Sequence, residues 1–393
     1  MYGWARTEPA YCVTRLAPAG REPLQLGRMT VVAEDSPTEP DAAKKRAQMD
    51  ALLAEFATAH AGRPRFDETP VPRRLHHYTT LDGLMGIVSS DAIWASDARF
   101  LNDSSELSYA AGLIDAVVAE VFDAVSSEAL RAALPRRPSV ANAFEYGAQP
   151  FVACFCEEDD LLSQWRGYDA GQTGFSLGLD LQYQPMMGLP PPTYLRRVVY
   201  DEDRQRSAVR EVVGTWLETA ERLLTPERGL TTADVFPYPA IWALQEALAE
   251  HHLCFKHPTF AEEHEWRLIK LVDVREELRL LNDRRQDLML AATRARMQEL
   301  GVDMPEFGTT WSQANAEGID IKFRRSPFGL VPYIELPLKD RAGVFTDRLP
   351  LWQVTQGPTS NPELSLESLR MYLDSMGFGF HTELKASGIP LRR

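Results

Sequence analysis

The run Phe151-Val152-Ala153-Cys154-Phe155-Cys156 is apolar at every position. A strand alternates its side chains between two faces, so such a run folds only where both faces are covered. This places a central strand in the middle of the chain and calls for a sheet with cover on each side. The 393 residues, 44% of them hydrophobic, are enough to build that sheet and bury a sizeable core.

Elements before and after this strand alternate without a regular strand-helix-strand repeat, and no internal repeat is evident. Residues 1–47 combine Pro, Gly and charge with little apolar periodicity and are expected to form a flexible leader. Met49, Leu52, Leu53, Phe56 and His60 then recur at helix spacing, giving a helical lead-in over residues 48–70. A single α+β domain is expected over residues 71–393. Its helical insertions fall near 203–253 and 275–300, a helix is expected at 363–376, and residues 126–149 read as a connector. Further strands are expected near 75–78, 93–95, 175–179, 194–200, 264–272, 332–338, 350–355 and 380–386.

Lys plus Arg number 42 against 56 Asp plus Glu, a net charge of −14. That balance disfavours strong non-specific binding to nucleic acid or to anionic lipid. The basic residues that do cluster, Arg73-Arg74, Arg196-Arg197 and Arg324-Arg325, are pairs too short to be basic tracts. No apolar stretch reaches the roughly 18–20 residues of a membrane span, and with no basic start followed by an apolar core a secretory signal is not expected. The four cysteines, Cys12, Cys154, Cys156 and Cys254, lack metal-ligand spacing and read as free thiols of a cytoplasmic protein.

Four polar clusters carry potential chemistry. In Leu75-His76-His77-Tyr78-Thr79, His77 and Thr79 share one strand face and can address one ligand; Thr79 with Asp82 also fits a helix cap. In Asn102-Asp103-Ser104-Ser105-Glu106, Asp103 and Glu106 fit a second capping box, which leaves Asn102 for a ligand or a turn. Ser163-Gln164-Trp165-Arg166-Gly167-Tyr168 offers rings for stacking and a guanidinium for phosphate, or a core Trp beside a solvated Arg. In Glu262-Glu263-His264-Glu265-Trp266-Arg267, a strand would align Glu263, Glu265 and Arg267 on one face. Their repulsion is costly unless a ligand or a positive neighbour uses them, while a solvated edge strand is the plainer account. No phosphate-binding loop, dinucleotide fingerprint, nucleophile elbow or zinc-protease signature occurs.

In order, Leu75-x-His77-Tyr78-Thr79, Phe100-x-Asn102-Asp103-x-x-Glu106, Ser163-x-Trp165-x-x-Tyr168 and Phe260-x-x-Glu263-x-Glu265-Trp266-Arg267 resemble a bacterial domain-of-unknown-function family. Ser387-Gly388-Ile389-Pro390-Leu391-Arg392 resembles that family's Ser-x-Ile-Pro-Tyr-Arg close and departs from it at Leu391. The opening His-x-Thr is more distantly similar to ADP-ribosyltransferase-like toxins. That resemblance implies a split β core binding NAD as substrate. Carried over by position, His77 and Thr79 would anchor it, Trp165 or Tyr168 would stack, Glu265 would catalyse and Glu263 would assist; Tyr78, Asn102 and Arg166, from the clusters themselves, are the further cofactor-binding candidates. The function implied is ADP-ribosyl transfer to a macromolecular acceptor or NAD glycohydrolysis, in a toxin or phage-defence setting. A non-enzymatic nucleotide- or protein-binding sensor is the competing class, and a metal-dependent nuclease built on Glu262, Glu263 and Glu265 is a third.

Overall fold

The computed structural model describes residues 39–61, 69–101, 104–134, 149–168, 173–181, 193–236, 238–272, 320–326, 329–339 and 347–390. The chain divides into two compact units, Met1–Ala47 and Gln48–Arg393. Of the first, the described residues are the opening of helix α1 (Glu39–Ala61).

The second unit is mixed α/β, with a large open sheet of ten strands among the described residues. These are β1 (Arg74–Thr79), β2 (Ile93–Asp97), β3 (Gln149–Cys156), β4 (Phe175–Asp180), β5 (Thr193–Arg197), β6 (Glu265–Val272), β7 (Lys322–Ser326), β8 (Gly329–Leu336), β9 (Leu351–Gln356) and β10 (Glu383–Ala386). All pairings are antiparallel except β9 with β10.

The apolar run is central, as its composition requires. One edge of β3 pairs along its whole length with β6, from Gln149↔Val272 to Cys156↔Glu265, and β6 pairs in turn with β5. The other edge is divided. Phe151 and Val152 pair with Asp97 and Ser96 of β2, whereas Cys156 pairs with His76 of β1. From this fork one arm runs β1-β4-β9-β10 and the other β2-β8-β7.

Helix α2 (Leu81–Ser90) joins β1 to β2 behind the fork. Its N-cap is Thr80, which accepts from the Gly83 amide; the expected capping role of Thr79 is thus displaced by one residue, and Thr79 is buried. Leu84, Ile87 and Val88 of α2 join Leu75, Phe151, Phe155, Trp266 and Ile334 in one core. Gly86 lies against Trp94, and a Cβ built there would come 2.0 Å from the indole. Gly86→Ala therefore sets a helix-propensity gain of about 1 kcal/mol against overpacking of about 1–3 kcal/mol. Trp94 is held by Tyr333 and by Ser90, so we expect net destabilisation, read as a lower urea midpoint.

A second core is helical. It assembles α1, α3 (Ser104–Asp123), α4 (Glu128–Ala133), α6 (Glu202–Leu223), α7 (Thr232–Val235) and α8 (Tyr238–Cys254) around Trp216. Helix α6 shows why the chain folds so: Asp201 caps it by accepting from the Arg204 amide, and Val209, Val212, Val213, Trp216, Ala220 and Leu223 form one buried stripe. Helix α4, capped by Ser127, occupies part of the expected connector. A small seam of Val152, Ile269, Leu253, Cys254 and Ala98 joins the helical layer to the sheet. Helices α5 (Leu162–Tyr168) and α9 (Pro362–Ser375) complete the described set. The expected helix at 275–300 lies outside the described residues. No described helix is long and apolar enough to cross a membrane.

Candidate functional site

The second and fourth clusters meet at the start of β6. The strand begins at Glu265, not at His264: Pro258–Glu263 is a 3-10 turn, and His264 leaves it with φ of 41°. A side chain with a Cβ pays for a left-handed backbone, so such a residue persists only where its surroundings hold it. Here that turn swings Glu263 back beside Glu265. Lys256 Nζ donates to Glu263 Oε2 at 2.5 Å, to Glu265 Oε2 at 3.1 Å and to Glu106 Oε1 at 2.7 Å. Arg267 donates from Nε to Glu265 Oε1 at 2.7 Å, from Nη2 to Glu106 Oε2 at 2.6 Å, and from Nη1 to the Leu253 carbonyl at 2.7 Å.

Two buried cations therefore bridge three carboxylates, which answers the repulsion foreseen between Glu263 and Glu265. Glu106 is not spent on capping; it closes the network from α3. Glu106 and Lys256 are the site residues that sequence reasoning missed. The one available signal for Lys256 is a lysine set between a helical apolar stripe and Pro258.

Within this network the two adjacent acids are pushed apart. Burial drives the Glu265 carboxyl up, but Arg267 and then Lys256 outweigh it and hold it at about 2. At Glu263 burial first, and then the charges of Glu265 and Glu106, raise the carboxyl against the pull of Lys256. One acid is a permanent anion and its neighbour is displaced toward holding a proton, a division of roles seen where paired carboxyls do acid–base work. Burial also raises the thiols, Cys156 to about 12 and Cys154 and Cys254 in the same direction, so none is an activated nucleophile.

The first and third clusters meet on the other side of Cys156. Tyr78 and Trp165 pack edge to face with centroids 4.8 Å apart, and Cys156 and Ile389 touch the pair. The Tyr78 hydroxyl donates to the Glu158 carbonyl and accepts from the Leu161 amide, which pins the turn after β3. Trp165 is 4% exposed, with Nε1 donating to Asp160, while Arg166 is exposed. The closing motif docks here too, with Ser387 Oγ and the Gly388 amide both donating to Asp160. All four clusters thus gather around the C-terminal end of β3. Cys156 links the two halves, its thiol donating to the Glu263 carbonyl.

The register decides which histidine shares this face. His76 pairs with Cys156 and Cys156 with Glu265, so these three point the same way. His77 and Thr79 take the opposite face of β1. His77 packs on Phe155, and its Nδ1 donates to the Cys154 carbonyl at 2.8 Å. Asn102 and the side chain of Tyr168 lie outside the described residues.

Burial also sets a pH dependence. His76, His77 and His251 are each pulled down to about 4, chiefly by desolvation. Their folded pKa lies below the unfolded value near 6.5, so their contribution to stability is complete above about pH 6.5 and is lost as pH falls toward about 4. Glu263, displaced upward, runs the other way, but it is one group against three. We expect the urea midpoint to fall between pH 6.5 and 4, before the carboxylates protonate in the unfolded chain. A flat midpoint across that window would show that these imidazoles are solvated.

No curated protein and no solved structure matches the chain. Among the described residues no group of three or more His, Cys, Asp or Glu is placed to hold a metal ion. Residues 164–268 match the model of a family described as Protein of unknown function (DUF2971). That stretch runs from the residue before Trp165 to the residue after Arg267, so the matched stretch takes in the third cluster from Gln164 onward and all of the fourth, in keeping with the resemblance read from the motifs.

Proposed function

We propose that the chain consumes NAD, breaking the bond between ribose and nicotinamide and passing ADP-ribose to water or to a macromolecular hydroxyl. The observation that carries this reading is the Glu263–Glu265 pair, two carboxyls on one ammonium with their proton affinities displaced in opposite directions. In such a reaction the bonding electron pair leaves with the pyridinium nitrogen and nicotinamide departs neutral. The acceptor oxygen bonds to the ribose carbon, and its proton passes to Glu263. Glu265, pinned by Arg267, keeps a fixed negative charge beside the positive charge that develops on the ribose. The forked sheet supports the reading further, since a split core is what the ADP-ribosyltransferase resemblance calls for.

Nicotinamide release from NAD by the purified full chain tests this. Glu263→Gln should lower turnover about 100-fold, within the range for loss of an acid–base group, while the circular dichroism spectrum stays unchanged. If the wild-type chain releases no nicotinamide, the enzymatic reading falls. A sensor that binds without turnover is the second reading. It is favoured by the burial of Trp165 and by the engagement of both Glu265 oxygens, and its signature is saturable NAD binding with no product.

A further inference from the structure

Buried polar atoms without partners are rare in a folded chain, because each gives up its water and gains nothing in return. Three of those among the described residues gather on one face of the β1-β4-β9 arm: Nδ1 of His76, Oγ of Ser176 and Nε1 of Trp352. His76 pairs with Gly178 and Gly178 with Gln353, while Ser176 sits two residues along β4 on the same side. The register of β4 with β9 slips between Gly178 and Leu179, which makes Trp352 the extra residue of a bulge. A Cβ built on Gly178 would come 2.9 Å from Trp352 Nε1 and 3.2 Å from Cε1 of His76, so the indole N–H and the imidazole edge converge on the space the glycine leaves. The two rings meet edge on, with centroids 6.2 Å apart.

Two cations border this face. Lys385 is matched: its Nζ donates at 2.7 Å to Asp159 Oδ2, which also accepts from Gln353 Nε2 at 2.7 Å and from Thr355 Oγ1 at 2.8 Å. Arg74 has no carboxylate partner among the described residues, since Asp180, opposite it in register, is taken by Arg73. Its exposed guanidinium lies over the Trp352 ring, 3.6 Å from the centroid. Burial keeps the His76 ring neutral, with one N–H and one lone pair. The face therefore offers one unmatched positive charge beside an indole N–H, an imidazole N–H and a hydroxyl.

Such a set receives an anion, and the charges select which. A planar, singly charged carboxylate matches one guanidinium and takes its fork through both oxygens. A doubly charged phosphate would set a surplus negative charge beside Asp159, which repels it. We infer that this face binds a carboxylate, with Arg74 on its two oxygens and the N–H groups of Trp352 and His76 on the inner one. Arg74, the exposed member, swings off the indole to admit it. Gly178 lies three strands from Glu265, roughly 14 Å across the sheet, and the inference does not rest on the NAD reading.

The indole N–H nuclear magnetic resonance signal of Trp352 in the full chain, assigned by its loss in Trp352→Phe, reads occupancy. Acetate should move it saturably, and sodium chloride at equal ionic strength should not. Arg74→Gln should weaken acetate about 10-fold, as expected for a charge-assisted pair. Arg210→Gln, which removes an exposed cation from the helical layer, should leave acetate binding unchanged. N-acetylglycylglycine separates two sources of the same group: binding tighter than acetate assigns the site to a peptide chain end, and binding no tighter assigns it to a free acid. Phosphate binding tighter than acetate would overturn the carboxylate assignment. Equal acetate affinity in wild type and Arg74→Gln would overturn the part given to Arg74. A Trp352 signal that neither carboxylate moves, or that chloride moves as far, would overturn the site outright and leave its orphaned atoms to internal water.

Discussion

Replacing Arg267 with Met is expected to destabilise the fold by about 3–5 kcal/mol, the usual result of removing one partner from a buried ion pair. Arg267 is 1% exposed and satisfies Glu265, Glu106 and the Leu253 carbonyl together. Met fills similar volume but supplies no donor, so two carboxylates keep only Lys256 between them. Urea denaturation of the full chain measures the loss. Arg267→Met combined with Glu265→Gln should cost less than the sum of the two single changes, because the second removes a charge that the first has left unpaired. A change below about 1 kcal/mol would mean that water screens the cluster as it screens surface pairs. The same network bears on any test of Glu265. Glu265→Gln removes one partner from each of the two cations, so a loss of NAD turnover in that variant is interpretable only beside its stability, whereas Glu263, among the described residues, pairs with Lys256 alone.

Trp216→Ala should be as damaging, at about 3–5 kcal/mol. The indole is fully buried, with ring centroids 6.1 Å from Phe56, 5.6 Å from Phe122 and 5.6 Å from Phe236, and its Nε1 donates to the Ala240 carbonyl at 2.6 Å. It therefore ties together α1, α3 and α6, the residue closing α7 and the start of α8. Truncation leaves a cavity and removes the indole hydrogen bond to the Ala240 carbonyl. Trp216→Phe should keep most of the packing and lose about 1 kcal/mol for the hydrogen bond. Near-ultraviolet circular dichroism and the urea midpoint together separate the two variants. Equal stability of the Ala variant and wild type would mean that the helical core closes over the gap.

Much of the architecture is written locally. The apolar run at 151–156 announces a doubly covered central strand, and the stripe from Val209 to Leu223 announces an amphipathic helix, because burial repeats with the period of each element. The helical stretch expected near 203–253 holds α6, α7 and α8, and the helix expected at 363–376 matches α9 to within one residue. Strand β7 escaped notice because it lies outermost on its arm, and its Lys322, Arg324 and Arg325 carry no apolar alternation. Thr80 took the cap from Thr79 because β1 continues one residue further than its sequence announces.

The candidate site divides along the same line. Residue types and their order along the chain were enough to mark Glu263, Glu265, His77 and Trp165 as residues of interest. Their company was not readable in that way: Glu106 meets Arg267 across 161 residues of chain, and whether position 76 or 77 shares the face of Glu265 turns on one register, His76↔Cys156↔Glu265. Helix and strand periods report which side of an element is apolar, because neighbours within a few positions set them. Which buried charge meets which is settled when distant segments are packed against each other, where an unmatched carboxylate costs several kcal/mol and a matched one costs little.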